Sequence, residues 1–122
     1  MHHRAGRLRE AERLYRVAIG LAPRHGDALR LLGMICLEDG KPEQALPLLQ
    51  DALQAQPNNP EIFNNLGIAL RDTGRSEEAV TRFRQALALN PACAETLNNL
   101  GSALREQGKY KAALDCFKKA LS

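Results

Sequence analysis

Apolar and polar residues alternate along this chain with the period of an amphipathic helix. Within residues 60–89, apolar residues recur three or four positions apart in two runs that are separated by Gly74. Each run therefore has one apolar and one polar face, which is typical of a helix packed on one side. The same spacing predicts helices over seven segments: 7–21, 27–39, 42–55, 60–73, 76–89, 94–107 and 110–121.

Local signals for the start of a helix agree with this pattern. Asn59 can cap a helix, Pro60 suits the first helical position because its missing N–H costs nothing there, and Glu61 favours the positive helix terminus. The segment 41–43, Lys-Pro-Glu, gives a second start of the same kind. Gly74 lies between the two apolar runs, so we expect it to form the turn between two antiparallel helices.

A fixed step of 34 residues runs through the chain. Gly33, Gly67 and Gly101 are separated by this step, and each follows a leucine. A period in this range indicates stacked structural repeats. Other positions keep the same step, namely Pro23, Pro57 and Pro91; Gly6, Gly40, Gly74 and Gly108; Ala11, Ala45, Ala79 and Ala113; and Ala18, Ala52, Ala86 and Ala120.

The middle unit resembles the tetratricopeptide repeat, whose pattern is W-x2-L-G-x2-Y…A-x3-F…P. Phe63 and Leu70 replace the tryptophan and the tyrosine of that pattern, while the small residues are kept. The resemblance implies an all-α, right-handed superhelical α-solenoid of antiparallel helix pairs. It rests on Phe63, Leu66, Gly67, Leu70, Ala79, Phe83 and Pro91.

Repeat boundaries follow from this register. Residues 1–25 are read as a partial repeat with the second helix only, 26–59 and 60–93 as full repeats, and 94–122 as a repeat without a C-terminal capping helix. Repeats bury their faces only against their neighbours, so the end helices are expected to expose apolar residues. These are Leu8, Leu14, Tyr15 and Ile19 at one end and Leu114, Phe117 and Leu121 at the other. A larger parent protein or a homo-oligomer would cover them.

Composition adds few constraints. The 122 residues are 44% hydrophobic and 25% charged, which suits one globular module. The chain shows no apolar run of membrane length and no signal peptide, so we expect a cytoplasmic protein without a membrane partner. The net charge of +3 is spread over turns and helix surfaces, which disfavours nucleic acid as a partner. Cys36, Cys93 and Cys116 lack metal-ligand spacing and are interpreted as small buried hydrophobes.

The sequence contains no catalytic motif. It has no phosphate-binding glycine loop, no HExxH and no GxSxG, and its histidines lie at the N-terminus and, for His25, in a turn. We therefore expect no catalytic residue, no metal and no cofactor, and interpret the chain as non-enzymatic.

Function is then expected from a surface. In stacked helix pairs the first helix of each repeat lines a concave groove, and Asn65 and Asn99 hold the same position in consecutive repeats. An asparagine amide both donates and accepts, so it can pair with the backbone of an extended peptide. The predicted peptide-binding groove contains Arg30, Leu31, Met34, Asn64, Asn65, Ile68, Arg71, Asn98, Asn99, Ser102 and Arg105.

These asparagines resemble the asparagine ladder of the O-GlcNAc transferase repeat region, and the run 3–16 is similar to the opening of repeat regions in bacterial Spindly-like glycosyltransferases. Two alternatives stand beside a protein–protein interaction scaffold, one based on these resemblances and one on the uncapped ends. In one, the chain is the substrate-recruiting or regulatory part of a larger glycosyltransferase. In the other, it is a self-assembling module.

Overall fold

The computed structural model describes residues 9, 10, 13 and 25–122 of the chain. Residues 25–122 form six α-helices, and none of the described residues lies in a β-strand. The six helices begin and end within one residue of the predicted bounds. They are α1 (Gly26–Glu38), α2 (Pro42–Ala55), α3 (Pro60–Asp72), α4 (Ser76–Leu89), α5 (Ala94–Glu106) and α6 (Tyr110–Leu121).

The predicted helix at 7–21 and its apolar residues lie outside the described residues, apart from residues 9, 10 and 13, which are helical. The expected partial repeat at 1–25 therefore stays a prediction.

Side-chain caps fix where two of the helices begin. The Oδ1 atom of Asn59 accepts a hydrogen bond from the backbone N–H of Glu61 at 3.0 Å, and α3 starts with Pro60, as predicted. At α1 the Nδ1 atom of His25 accepts from the N–H of Ala28 at 3.1 Å. His25 is exposed, as expected of a turn residue, but it also caps a helix, a role that the sequence did not indicate.

Each helix pair is joined by a turn that requires glycine. Gly40, Gly74 and Gly108 have φ angles of 72°, 80° and 78°, in the left-handed region that disfavours a Cβ atom. After Gly74, the N–H of Arg75 donates to the carbonyl of Leu70 at 2.8 Å, which closes the helix end as a Schellman motif. The repeated glycine therefore reverses the chain at the same point of each pair.

A second repeated glycine sets the distance between the helices of a pair. A Cβ atom at Gly67 would lie 2.6 Å from Cδ1 of Phe83, and one at Gly101 would lie 2.7 Å from Cε1 of Phe117. Real Cβ atoms do not approach that closely, so only glycine lets α3 and α4, or α5 and α6, pack at this distance. Gly33 takes the same role against Leu49 between α1 and α2.

The chain divides into two compact units between Pro57 and Asn58. In the first unit α1 packs against α2, with Leu29, Leu32 and Leu49 fully buried. In the second unit α3 pairs with α4 and α5 pairs with α6, and α5 also contacts both α4 and α3. The side chains that fill this second core include Ile62, Leu66, Phe83 and Leu104.

The apolar residues of α6 differ from the sequence expectation. Phe117 does not lie on an open face, because its ring packs against Gly101 and is half-buried. Leu114 and Leu121 are exposed as expected, at 52% and 90% of their surface.

Candidate functional site: a polar stripe on α3 and α5

Polar side chains of α3 bond directly to polar side chains of α5. The Nδ2 atom of Asn99 donates to Oδ1 of Asn64 at 3.1 Å, and Nδ2 of Asn64 donates to Oε1 of Glu95 at 3.5 Å. Farther along both helices, Nε of Arg71 donates to Oε1 of Glu106 at 2.8 Å. We call these five residues the polar stripe. They show that the first helices of consecutive repeats lie side by side, as the 34-residue period predicted.

Two of the three bonds in the stripe join residues that are one position out of step with the 34-residue period of the sequence. Asn99 bonds to Asn64 and Arg71 bonds to Glu106, and both pairs are 35 residues apart. The partner of Asn99 is therefore Asn64 and not Asn65, its equivalent in the repeat. A stagger of one residue between neighbouring helices accounts for both pairs, and the sequence carries no signal for it.

Burial divides the predicted groove residues of the second unit. Asn64 and Asn65 are only 6% and 7% exposed. Four others are half-buried and two are exposed, so these six offer accessible surface. The half-buried residues are Ile68, Arg71, Asn99 and Ser102, and the exposed ones are Asn98 and Arg105.

The remaining predicted groove residues belong to the first unit. Arg30, Leu31 and Met34 lie on α1, and all three are half-buried. Their part in a groove stays a prediction.

A small cavity adjoins the polar stripe inside the second unit. It has a volume of about 120 Å³ and lies where the first turns of α3 and α5 meet the end of α4. Its walls carry carboxylate, amide, thiol and hydroxyl groups beside two apolar residues. They are Pro60, Glu61, Asn64, Ala86, Asn90, Cys93, Glu95 and Thr96.

The described residues also bear on metal binding, thiol reactivity and membrane insertion. No group of three or more histidine, cysteine or carboxylate residues among them could hold a metal ion. Burial raises the pKa of the Cys116 thiol above its ordinary value, despite the opposing charges of Arg84 and Lys119, so this sulfur is a weaker nucleophile at neutral pH. Within the part of the chain that the structure describes, no helix is long and apolar enough to cross a membrane.

Comparison with known families supports the repeat assignment. A tetratricopeptide repeat model matches residues 26–92 and again 61–122, and a second model of the same name matches residues 1–16. No curated protein sequence matches the chain.

Solved structures resemble the chain over almost its whole length. MamA MSR-1 has a TM-score of 0.82 and 29% identity, over 98% of this chain and 68% of that one. MamA 41-end from Desulfovibrio magneticus RS-1 has a TM-score of 0.89 at 23% identity, over 98% of this chain and 67% of that one. The second likeness shows the fold alone. Together with the family models, these structures confirm the expected all-α repeat fold.

Proposed function

Since this chain belongs to the tetratricopeptide repeat family, a family of non-catalytic protein-interaction scaffolds, we propose that it binds an extended segment of a partner protein along the polar stripe of α3 and α5. Membership of this family supports a role as a protein-interaction scaffold. It also agrees with the expectation that the chain is not an enzyme. The peptide groove is our proposal.

The observation that carries the proposal is the position of Asn99. Its Nδ2 atom is held by Asn64 at 3.1 Å, which fixes the orientation of the amide. Its Oδ1 atom accepts no hydrogen bond from any described residue, and the side chain is half-buried rather than covered. An oriented acceptor at a partly accessible site suits the backbone N–H of an extended peptide, because little freedom is lost on binding.

Neighbouring residues support the same surface. Ile68 and Ser102 lie beside the stripe on α3 and α5, and both are half-buried. The cavity of about 120 Å³ next to Asn64 offers space for a small side chain of the bound segment. Apolar and polar groups that could contact a bound segment therefore lie side by side on α3 and α5.

The two alternative roles stay predictions. A place within a larger glycosyltransferase rests on the resemblance of Asn65 and Asn99 to a known asparagine ladder, and self-assembly rests on exposed apolar end residues.

The proposal is tested with peptides selected from a random display library on the full chain. We expect Asn99→Ala to weaken binding of the selected peptides in calorimetry, because a neutral hydrogen bond contributes about 0.5–1.5 kcal/mol. Glu77 on α4 is exposed and lies outside the stripe, so Glu77→Gln should leave the affinity for the selected peptides unchanged.

Asn64→Ala tests the structural role of the stripe, and because it also releases the Asn99 amide it should weaken binding as well. Asn64 is buried and both of its amide atoms are bonded inside the protein, so its loss should lower the free energy of unfolding more than Asn99→Ala does. If the two variants lose stability and neither loses affinity, the stripe only holds the repeats together and the proposal is wrong.

A further inference from the structure

The cavity of about 120 Å³ in the second unit is joined to the polar stripe by Asn64. The Oδ1 atom of Asn64 accepts a hydrogen bond from Asn99, and its Nδ2 atom donates to Oε1 of Glu95 in the cavity wall. Asn64 is buried, whereas Glu95 and Asn90 in the same wall are exposed. The cavity is therefore open to solvent, one side chain away from the peptide contact that we propose at Asn99.

The carboxylate of Glu95 brings a negative charge to this cavity. Its bond from Asn64 measures 3.5 Å, which is a long contact, and it comes from a neutral amide. None of the ion pairs between described residues includes Glu95. Among the described residues in the cavity walls, none is basic. The carboxylate can therefore accept hydrogen bonds from a charged donor outside the protein.

The arginines of the three surrounding helices are directed at other groups. On α4, the guanidinium of Arg82 lies over a phenylalanine ring of α3, 6.0 Å from its centroid, and the charge of Arg84 acts on Cys116 of α6. Arg71 and Arg105 lie in the last turns of α3 and α5, at the other end of each helix from the cavity. These arginines thus leave the carboxylate in the cavity without a cation.

The ends of the helices do not reverse this charge. The cavity lies at the N-termini of α3 and α5 and at the C-terminus of α4. A helix end carries about half a unit charge, positive at the N-terminus and negative at the C-terminus. Together the three ends leave about half a positive charge, which the full negative charge of Glu95 exceeds. The cavity therefore favours a cation.

We propose that this cavity binds the end of a lysine side chain of the partner segment, with its ammonium group against Glu95. The inference rests on the function proposed above and adds the residue type that the segment carries. A volume of about 120 Å³ holds about four water-sized groups, which suits the last carbons and the ammonium group of lysine. Its three N–H donors suit the Glu95 carboxylate and the Asn90 amide oxygen, while its carbons suit the apolar walls at Pro60 and Ala86.

The test is a double-mutant cycle between the chain and peptides selected on it from a random display library. We expect the selected peptides to share a lysine at one position. Replacing this lysine with methionine, which is of similar length and uncharged, should weaken binding to the unmodified full chain about threefold to tenfold in calorimetry. The same replacement should change the affinity for the Glu95→Gln variant much less, because the charge that the lysine meets is gone.

Glu77→Gln is the matched control. Glu77 lies in the first turn of α4, as Glu95 does in the first turn of α5, but it is not in the cavity wall. Both variants therefore remove one charge from a helix N-terminus, and their melting temperatures compare that effect. The peptide lysine should keep its full contribution to binding of the Glu77→Gln variant.

The outcomes separate this inference from the proposed function. Selected peptides without a shared lysine, or a lysine that contributes equally to binding of the unmodified chain and of Glu95→Gln, overturn the lysine site. If Asn99→Ala weakens binding of those peptides, the proposed function stands without it. A lysine coupled to Glu95 in peptides that Asn99→Ala does not affect supports the lysine site and overturns the contact at Asn99. If no peptide binds the chain, both proposals are wrong.

Discussion

At the residue scale, two equivalent glycines differ in how much an added methyl group would disturb their surroundings. Gly67 and Gly101 occupy the same position, yet their neighbours differ in freedom: Phe83 is fully buried, whereas Phe117 is half-buried. An added methyl group must displace an aromatic ring at both places. The ring of Phe117 has room to move and the ring of Phe83 has none.

We therefore expect Gly67→Ala to destabilise the protein by about 1–3 kcal/mol through overpacking, partly offset by about 1 kcal/mol of better helix propensity. Gly101→Ala should cost less, because Phe117 can shift toward solvent. Urea unfolding of the two variants measures the difference. Equal stability losses would show that the burial of the ring does not decide the cost.

The asparagines mark the limit of sequence reasoning at this scale. The sequence placed Asn65 and Asn99 together because they share a repeat position, whereas the structure bonds Asn99 to Asn64 and buries Asn65. A one-residue stagger depends on how two helices pack, and no local pattern of residues reports it. Which asparagines are buried and which stay accessible was therefore beyond prediction.

At the element scale, the helices were predictable because their signals are local. Asn59 and Pro60 start α3, and Gly74 ends the following turn, so the bounds follow from neighbouring residues alone. The face of α6 was predicted only in part. Phe117 was expected to be open, but the gap left by Gly101 accepts its ring.

The turn glycines give a prediction at this scale. Gly74 has a φ of 80° and nothing within 4 Å of an added Cβ atom, so its substitution is limited by backbone conformation and not by space. Gly74→Ala should destabilise by about 1–2 kcal/mol, since a left-handed conformation is costly for alanine. Gly74→Asn should cost less, because asparagine visits this region more readily. Thermal melts that rank the two variants in the opposite order would contradict this explanation.

At the scale of the whole molecule, a short repeated sequence produces surfaces of two kinds. Asn64 and Arg71 use their polar groups to join α3 to α5. Their equivalents one repeat later, Asn98 and Arg105, are exposed and bond to no side chain in the described part of the chain. The period of 34 residues predicted that such surfaces exist. It could not predict which of their groups are already used, because that depends on which helix lies next to which.

The most direct test of the central claim, that a partner segment binds along the polar stripe, is amide chemical-shift mapping by NMR. The isotopically labelled full chain is titrated with a library-selected peptide. The account predicts that the largest shifts fall on Ile68, Asn99 and Ser102, on the paired helices α3 and α5. Shifts confined to α4 and α6 would contradict it.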